Sequence, residues 1–177
     1  MTTQRYRLLN AILILALFAG SAWAYPHLPE RIPVHFGFSG QPDAWAGRSI
    51  ASWFLLPAIT AALALMMHAM AAAGASSPHL WNLPEKRRFL ALPRTEQAPI
   101  IARMQRFIAL IAVVATLLLG AIQAGIYRAS TGNSQGLPAW VLGWIFASVL
   151  VIGIAAYRLN SEVGSMVREA HGRAIAQ

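Results

Sequence analysis

The sequence predicts an all-α fold, a polytopic membrane bundle of four transmembrane helices with a small ordered extracytoplasmic loop between the first two. Three observations predict it. Hydrophobic residues make up 57% of the chain and charged residues only 11%, whereas a soluble domain carries about 25% charged residues. Such a chain cannot cover a surface that faces water. Four stretches reach or approach the roughly 20 apolar residues that a helix needs to cross hydrocarbon. The basic residues alternate between the segments that join those stretches. The 177 residues are read as one membrane domain, 1–177.

The first stretch, Leu8 to Tyr25, holds no charge and one strongly polar residue, Asn10. The second, Ile50 to Gly74, has His68 as its sole titratable group. The third, Phe107 to Tyr127, holds Thr116 and Gln123, and the fourth, Leu137 to Tyr157, is uncharged. Lipid offers the backbone no hydrogen bonds, so each stretch is expected to be helical. Trp23, Tyr25, Trp53, Tyr127, Trp140, Trp144 and Tyr157 lie near the ends, as an interfacial aromatic belt would. Arg5 and Arg7 ahead of a short apolar run that ends in Ala22-Trp23-Ala24 also fit a cleavable signal peptide. Trp23 and Tyr25 suit an anchor, and the first stretch is read as an uncleaved span.

Charge sets the expected orientation. Arg5 and Arg7, the six basic residues between Lys86 and Arg106, and Arg158, Arg168 and Arg173 fall on one side, and Arg31, Arg48 and Arg128 on the other. Cytoplasmic loops retain lysine and arginine, so both termini and the central loop are expected in the cytoplasm. This asymmetry accounts for the net charge of +8 without nucleic acid, and no nucleic-acid partner is expected.

The outer loop, 26–49, carries prolines at 26, 29, 33 and 42, which forbid a long helix. Arg31 to Phe36 reads as a short strand whose alternation places Ile32, Val34 and Phe36 on the bundle and Arg31, Pro33 and His35 away from it. Gly37, Gly40 and Pro42-Asp43 read as turns. In the inner basic loop, 75–106, Asn82 is expected to cap a short helix over Glu85 to Leu90, with Pro93 stopping it. Thr95-Glu96-Gln97 starts the third long helix early. Lys86, Arg87 and Arg88, with Arg103 and Arg106 snorkelling from that helix, are expected to meet anionic lipid or a cytoplasmic partner. A short turn near Ser130 to Gly136 joins the last two spans. The tail after Asn160 reads as a helix near the membrane surface.

The absence of cysteine excludes disulfides, thiolate metal sites and cysteine nucleophiles. No Ser/His/Asp set, HExxH or phosphate loop occurs. No span holds a carboxylate of the kind an ion-coupled pump uses. The best candidates for function are therefore His35 and Asp43, with His27, Glu30, Arg31 and Trp45 around them. Histidine with carboxylate suits recognition of a ligand or partner, a divalent metal, or simply a hydrogen bond that ties the loop down. No cofactor is expected. His68 and Gln123, like Asn10, are intramembrane polar groups suited to function or to interhelical hydrogen bonds. Met66 and Met70 share a face that His68 opposes and read as packing. Gly120, Gly125, Gly143 and Gly153 are expected to allow close helix packing.

The run LPERIPVHFGFSGQPDAW, with Ile32, Pro33 and His35 followed by Gly40 and Asp43, resembles the marker segment of the family called domain of unknown function 1648. WNLPEKRRFLALP (81–93) resembles a block in uncharacterised relatives. One branch of that family is the Sdp immunity protein of spore-forming bacteria, a polytopic membrane protein that guards against a secreted peptide toxin. The second half of this chain is shorter than in that branch. The resemblance implies a bacterial inner-membrane protein of immunity or sensing type, with an extracytoplasmic peptide or a cytoplasmic or membrane protein as partner besides lipid. The competing expectations are a membrane-embedded metal-dependent enzyme using His27, His35 and Asp43, and an accessory subunit of a transporter.

Overall fold

A computed structural model describes residues 2–37, 39–133 and 135–175. Four long helices dominate it: α1 (Thr3–Ala24), α2 (Ile50–Ser76), α4 (Arg94–Ser130) and α5 (Ala139–Ile175). All four are long and apolar enough to cross a membrane. Between α1 and α2 lies an antiparallel hairpin, β1 (Arg31–Phe36) and β2 (Pro42–Gly47), and between α2 and α4 a short helix, α3 (Lys86–Ala91). Residues 8–24, 50–74, 107–127 and 139–157 of the expected spans lie within these four helices. The last two helices are longer than expected, running about 55 Å each at 1.5 Å per residue.

The sorting of side chains suits lipid. The interior is lined by small and polar residues: Asn10, Ser21, Thr60, Ala64, Ala71, Ala109, Ala112, Thr116, Gln123 and Ser148 are buried. The outside carries the bulk, with Leu8, Leu15, Ile50, Leu65, Phe146, Val149 and Leu150 each more than 60% exposed. Small interior residues let helices approach closely, and polar ones link them. The central helix is α4, which packs on α1, α2, α5 and β1.

Two buried polar links hold the bundle. Thr116 Oγ1 donates to Asn10 Oδ1 at 2.7 Å, and Asn10 Nδ2 donates to His68 Nε2 at 3.3 Å, joining α4, α1 and α2. The second link follows from Pro57 inside α2. Proline has no N–H, so the carbonyl four residues earlier, that of Trp53, lacks its helical donor. Gln123 Nε2 on α4 donates to that carbonyl at 3.2 Å. We expect Gln123→Leu to cost about 1–2 kcal/mol, since it orphans a buried acceptor. With Pro57→Ala in the background the residue-57 N–H returns to Trp53, and the cost should fall to a few tenths. Denaturation of the four variants in mixed micelles measures the cycle. Equal costs in both backgrounds would sink the assignment.

Glycine makes the close contacts only in part where expected. A Cβ at Gly125 would lie 3.1 Å from Leu137 and Val141, as helix packing requires, and one at Gly120 would only touch Leu17 at 4.0 Å. At Gly143 and Gly153 it would meet nothing within 4 Å. Those two face outward, and the packing role expected for them is wrong. A Cβ at Gly74 would meet the Trp81 ring at 2.5 Å.

At the basic end the 77–93 connector folds back. Phe89, Trp81, Leu83 and Leu92 form one core with Ile100 and Ile101 of α4 and Val163, Val167 and Ala170 of α5. The tail is thus the continuation of α5, packed on this core, rather than a separate surface helix. Asn82 does not cap α3. The chain reverses at Glu85, the one described non-glycine residue with positive φ (58°), whose carbonyl accepts from Phe89 N at 3.0 Å. The end of α3 is held by Gln97, whose buried amide donates to Phe89 O and Leu92 O.

Candidate functional site

The hairpin is seated on the opposite end of the bundle. A 3-10 turn, Tyr25–His27, ends α1, and Leu28 and Ile32 then pack with Ala24 and Trp53 in one buried cluster. Tyr25, Phe54, Ile126 and Tyr127 close its sides. Trp53 Nε1 donates to Ser21 O at 2.8 Å, fixing the ring beneath the hairpin. Arg48, which sequence reasoning did not single out, clamps the hairpin's base. Its backbone N donates to Glu30 O and its Nη1 to Leu28 O, both at 2.7 Å, and the guanidinium lies over the Tyr25 ring. A basic residue on the side otherwise poor in charge was the available signal.

At the tip, Gly37 N donates to Gln41 O and Gly40 N to Gly37 O. Gly40 adopts φ +77°, a conformation glycine takes without strain. The Gly40 carbonyl accepts from Leu137 N at 2.9 Å, so the hairpin tip is latched to the α4–α5 connector.

β1 forms where expected, but the alternation does not hold. Ile32 and Pro33 are both buried, while Val34 is 49% exposed. The ladder is irregular between Pro33 and His35 and again between His35 and Phe36. One extra residue in a strand turns the following side chains to the other face. Pro42-Asp43 is not a turn but the start of β2.

This irregular stretch sets His35 beside Asp43. The His35 Nδ1–H donates to Asp43 Oδ1 at 2.5 Å, with both side chains at least half exposed. Trp45, opposite Pro33 in the ladder, is 45% exposed. Histidine, carboxylate, indole and Val34 therefore stand in solvent on a backbone held at base and tip. That arrangement suits contact with a partner through one hydrogen-bonding pair and an apolar flank.

The other candidates do not join the pair. His27 Nδ1 donates to Trp23 O at 2.9 Å, and its ring lies tilted against Trp23, 5.1 Å between centroids, facing the aromatic belt. Glu30 and Arg31 are exposed at the base of the hairpin. Among the described residues no group of three or more His, Asp or Glu side chains is placed to hold a metal ion. His68 is taken up in the Asn10 link, and Met66 and Met70 face outward.

Residues 12–61 match the family model DUF1648, a domain of unknown function. The DUF1648 segment runs from α1 through the whole hairpin into α2, and so contains His35, Asp43, Trp45, Arg48 and Trp53. No curated protein and no solved structure matches the chain.

On the basic side, Lys86, Arg87 and Arg88 are exposed on α3, with Arg88 3.0 Å from Glu85. Arg103 pairs with Glu162 of α5 instead of reaching out alone. Arg106 donates through Nε to Ala102 O of its own helix at 3.4 Å.

Proposed function

We propose that the protein is a non-catalytic multi-pass protein of a bacterial cytoplasmic membrane whose outer hairpin recognises an extracytoplasmic peptide or envelope component, in the manner of immunity or sensing proteins. The observation that carries this reading is the exposed His35–Asp43 pair beside Trp45 on a hairpin fixed at three points: the Trp53 seat, the Arg48 clamp and the Gly40 latch. A fixed backbone lowers the ordering cost of binding, and indoles are frequent anchors of interfaces. The orientation in this reading is supported by charge: 11 of the 14 basic residues lie at the end remote from the hairpin, and cytoplasmic segments retain lysine and arginine.

The test compares wild type with His35→Ala/Asp43→Ala and with Trp45→Ala, all tagged at the C-terminus and purified from native membranes. These exposed changes should leave insertion and yield unaltered. A partner crosslinked to the wild-type hairpin should be lost from both variants. Retention of the same partner at the same yield in both would refute recognition by the hairpin.

A further inference from the structure

We propose that the groove between α4 and α5 at the basic end is a binding site for one anionic phospholipid, with its phosphate on Arg106 and Arg158. This deepens only the membrane reading and is independent of what the hairpin recognises.

The groove has a volume of about 440 Å³ and is walled by α4, α5 and Tyr6 of α1. Its composition is graded along both helices. On α4, Arg103, Arg106, Phe107 and Leu110 fall at i, i+3, i+4 and i+7, one stripe of the helix. On α5, Val151, Ile154, Ala155 and Arg158 follow the same spacing, and Glu162 lies one turn further on. The helices are antiparallel in the bundle, so the two apolar parts meet and the two charged parts meet. From charged rim to apolar floor is about seven residues, or roughly 10 Å. A phospholipid has the same grading, with a phosphate above and methylenes below.

The rim holds three guanidinium groups against one carboxylate. Glu162 is taken by Arg103. Arg106 spends only its Nε, on its own helix, and Arg158 has no ion pair or hydrogen bond among the described residues. Two guanidinium forks therefore remain for phosphate oxygens, a geometry they match in bidentate fashion. Phosphatidylcholine would bring a quaternary amine to a rim that already has surplus positive charge. A free phosphate would leave the apolar floor unused.

The probe is phosphatidylglycerol added to the delipidated, full-length protein in neutral detergent, followed by native mass spectrometry and thermal denaturation. One lipid should bind and raise the denaturation midpoint, and phosphatidylcholine should do neither. Arg106→Gln/Arg158→Gln should weaken the adduct about tenfold or more, the scale of one lost charge-assisted contact. Arg158→Gln alone, at an exposed position, should weaken it measurably without disturbing the fold. Arg87→Gln/Arg88→Gln on α3 removes the same charge elsewhere and should leave the adduct intact. The proposal falls if the α3 variant loses the lipid equally, if the groove variants bind as wild type, or if phosphatidylcholine binds as well. It falls also if inorganic phosphate gives the same thermal protection, since that would describe an anion site without an acyl component.

Discussion

Replacing Trp53 with alanine should destabilise the protein by about 3–5 kcal/mol, the range for deleting a large buried aromatic. Trp53 is 2% exposed and packs against Leu28 and Ile32 above it. Its ring sits near Tyr127, which in turn meets Trp23. It also walls an open apolar groove of about 490 Å³ between α1 and α4, so the space vacated would widen that groove. Trp53→Phe separates the contributions. It keeps most of the packing and removes the indole N–H to Ser21 O, a loss of about 1 kcal/mol. Ser21 O retains the Tyr25 backbone donor, so phenylalanine orphans no carbonyl. Denaturation in mixed micelles gives both numbers. Hydrogen exchange across 31–47 should accelerate in the alanine variant, because the hairpin loses its floor. A cost under 1 kcal/mol for Trp53→Ala would mean that the hairpin is not seated by this residue.

Gly136→Val should free the hairpin tip. A Cβ at Gly136 would press on the Gly40 carbonyl and stand 3.5 Å from the Gln41 Cα. The atoms it meets are backbone, which cannot rotate aside as a side chain would. Overpacking of this kind costs about 1–3 kcal/mol, and here the strand has an escape: it lifts, and the Leu137 N to Gly40 O bond is lost. Exchange at the Leu137 amide should rise at least tenfold while the helices stay protected. Gly143→Ala supplies the opposite sign. A Cβ there meets nothing within 4 Å, and alanine outranks glycine in a helix by about 1 kcal/mol. If Gly136→Val leaves exchange at Leu137 unchanged, the latch is not a constraint.

The helices were legible because lipid imposes a length and a polarity that composition alone satisfies. The α4 start near Thr95 was legible too, since Pro93 sets the boundary. β2 was not. Pro42, Asp43 and Gly47 are poor strand formers, and Ala44, Trp45 and Ala46 pair with β1 because the tip turn and the Arg48 clamp bring them there. The face of Val34 was misassigned for a related reason: the alternation rule assumes a regular ladder, and this one is irregular at His35. Asn82 looked like a cap because its residue type favours one, yet the reversal at Glu85 uses a backbone conformation that no composition rule selects. The His35–Asp43 pair was visible as two residues of matching chemistry in one loop. Its isolation from His27 was not, because a 3-10 turn redirects that ring towards Trp23. Arg158 showed only as one more basic residue, since its meaning depends on the stripe of α4 it faces.

The cross-links at Asn10 and Trp53 also bear on what can be moved between proteins. Each joins α1 or α2 to α4: Asn10 to Thr116, and the Trp53 carbonyl to Gln123. Both α4 partners, and Asn10 itself, lie outside residues 12–61. The stretch that sequence comparison recognises is therefore not a self-sufficient building block. A graft of the hairpin and its two flanking helices into another scaffold would carry an unmet amide and an unmet carbonyl into hydrocarbon. It would need Thr116, Gln123 and the Gly136–Leu137 corner transplanted with it.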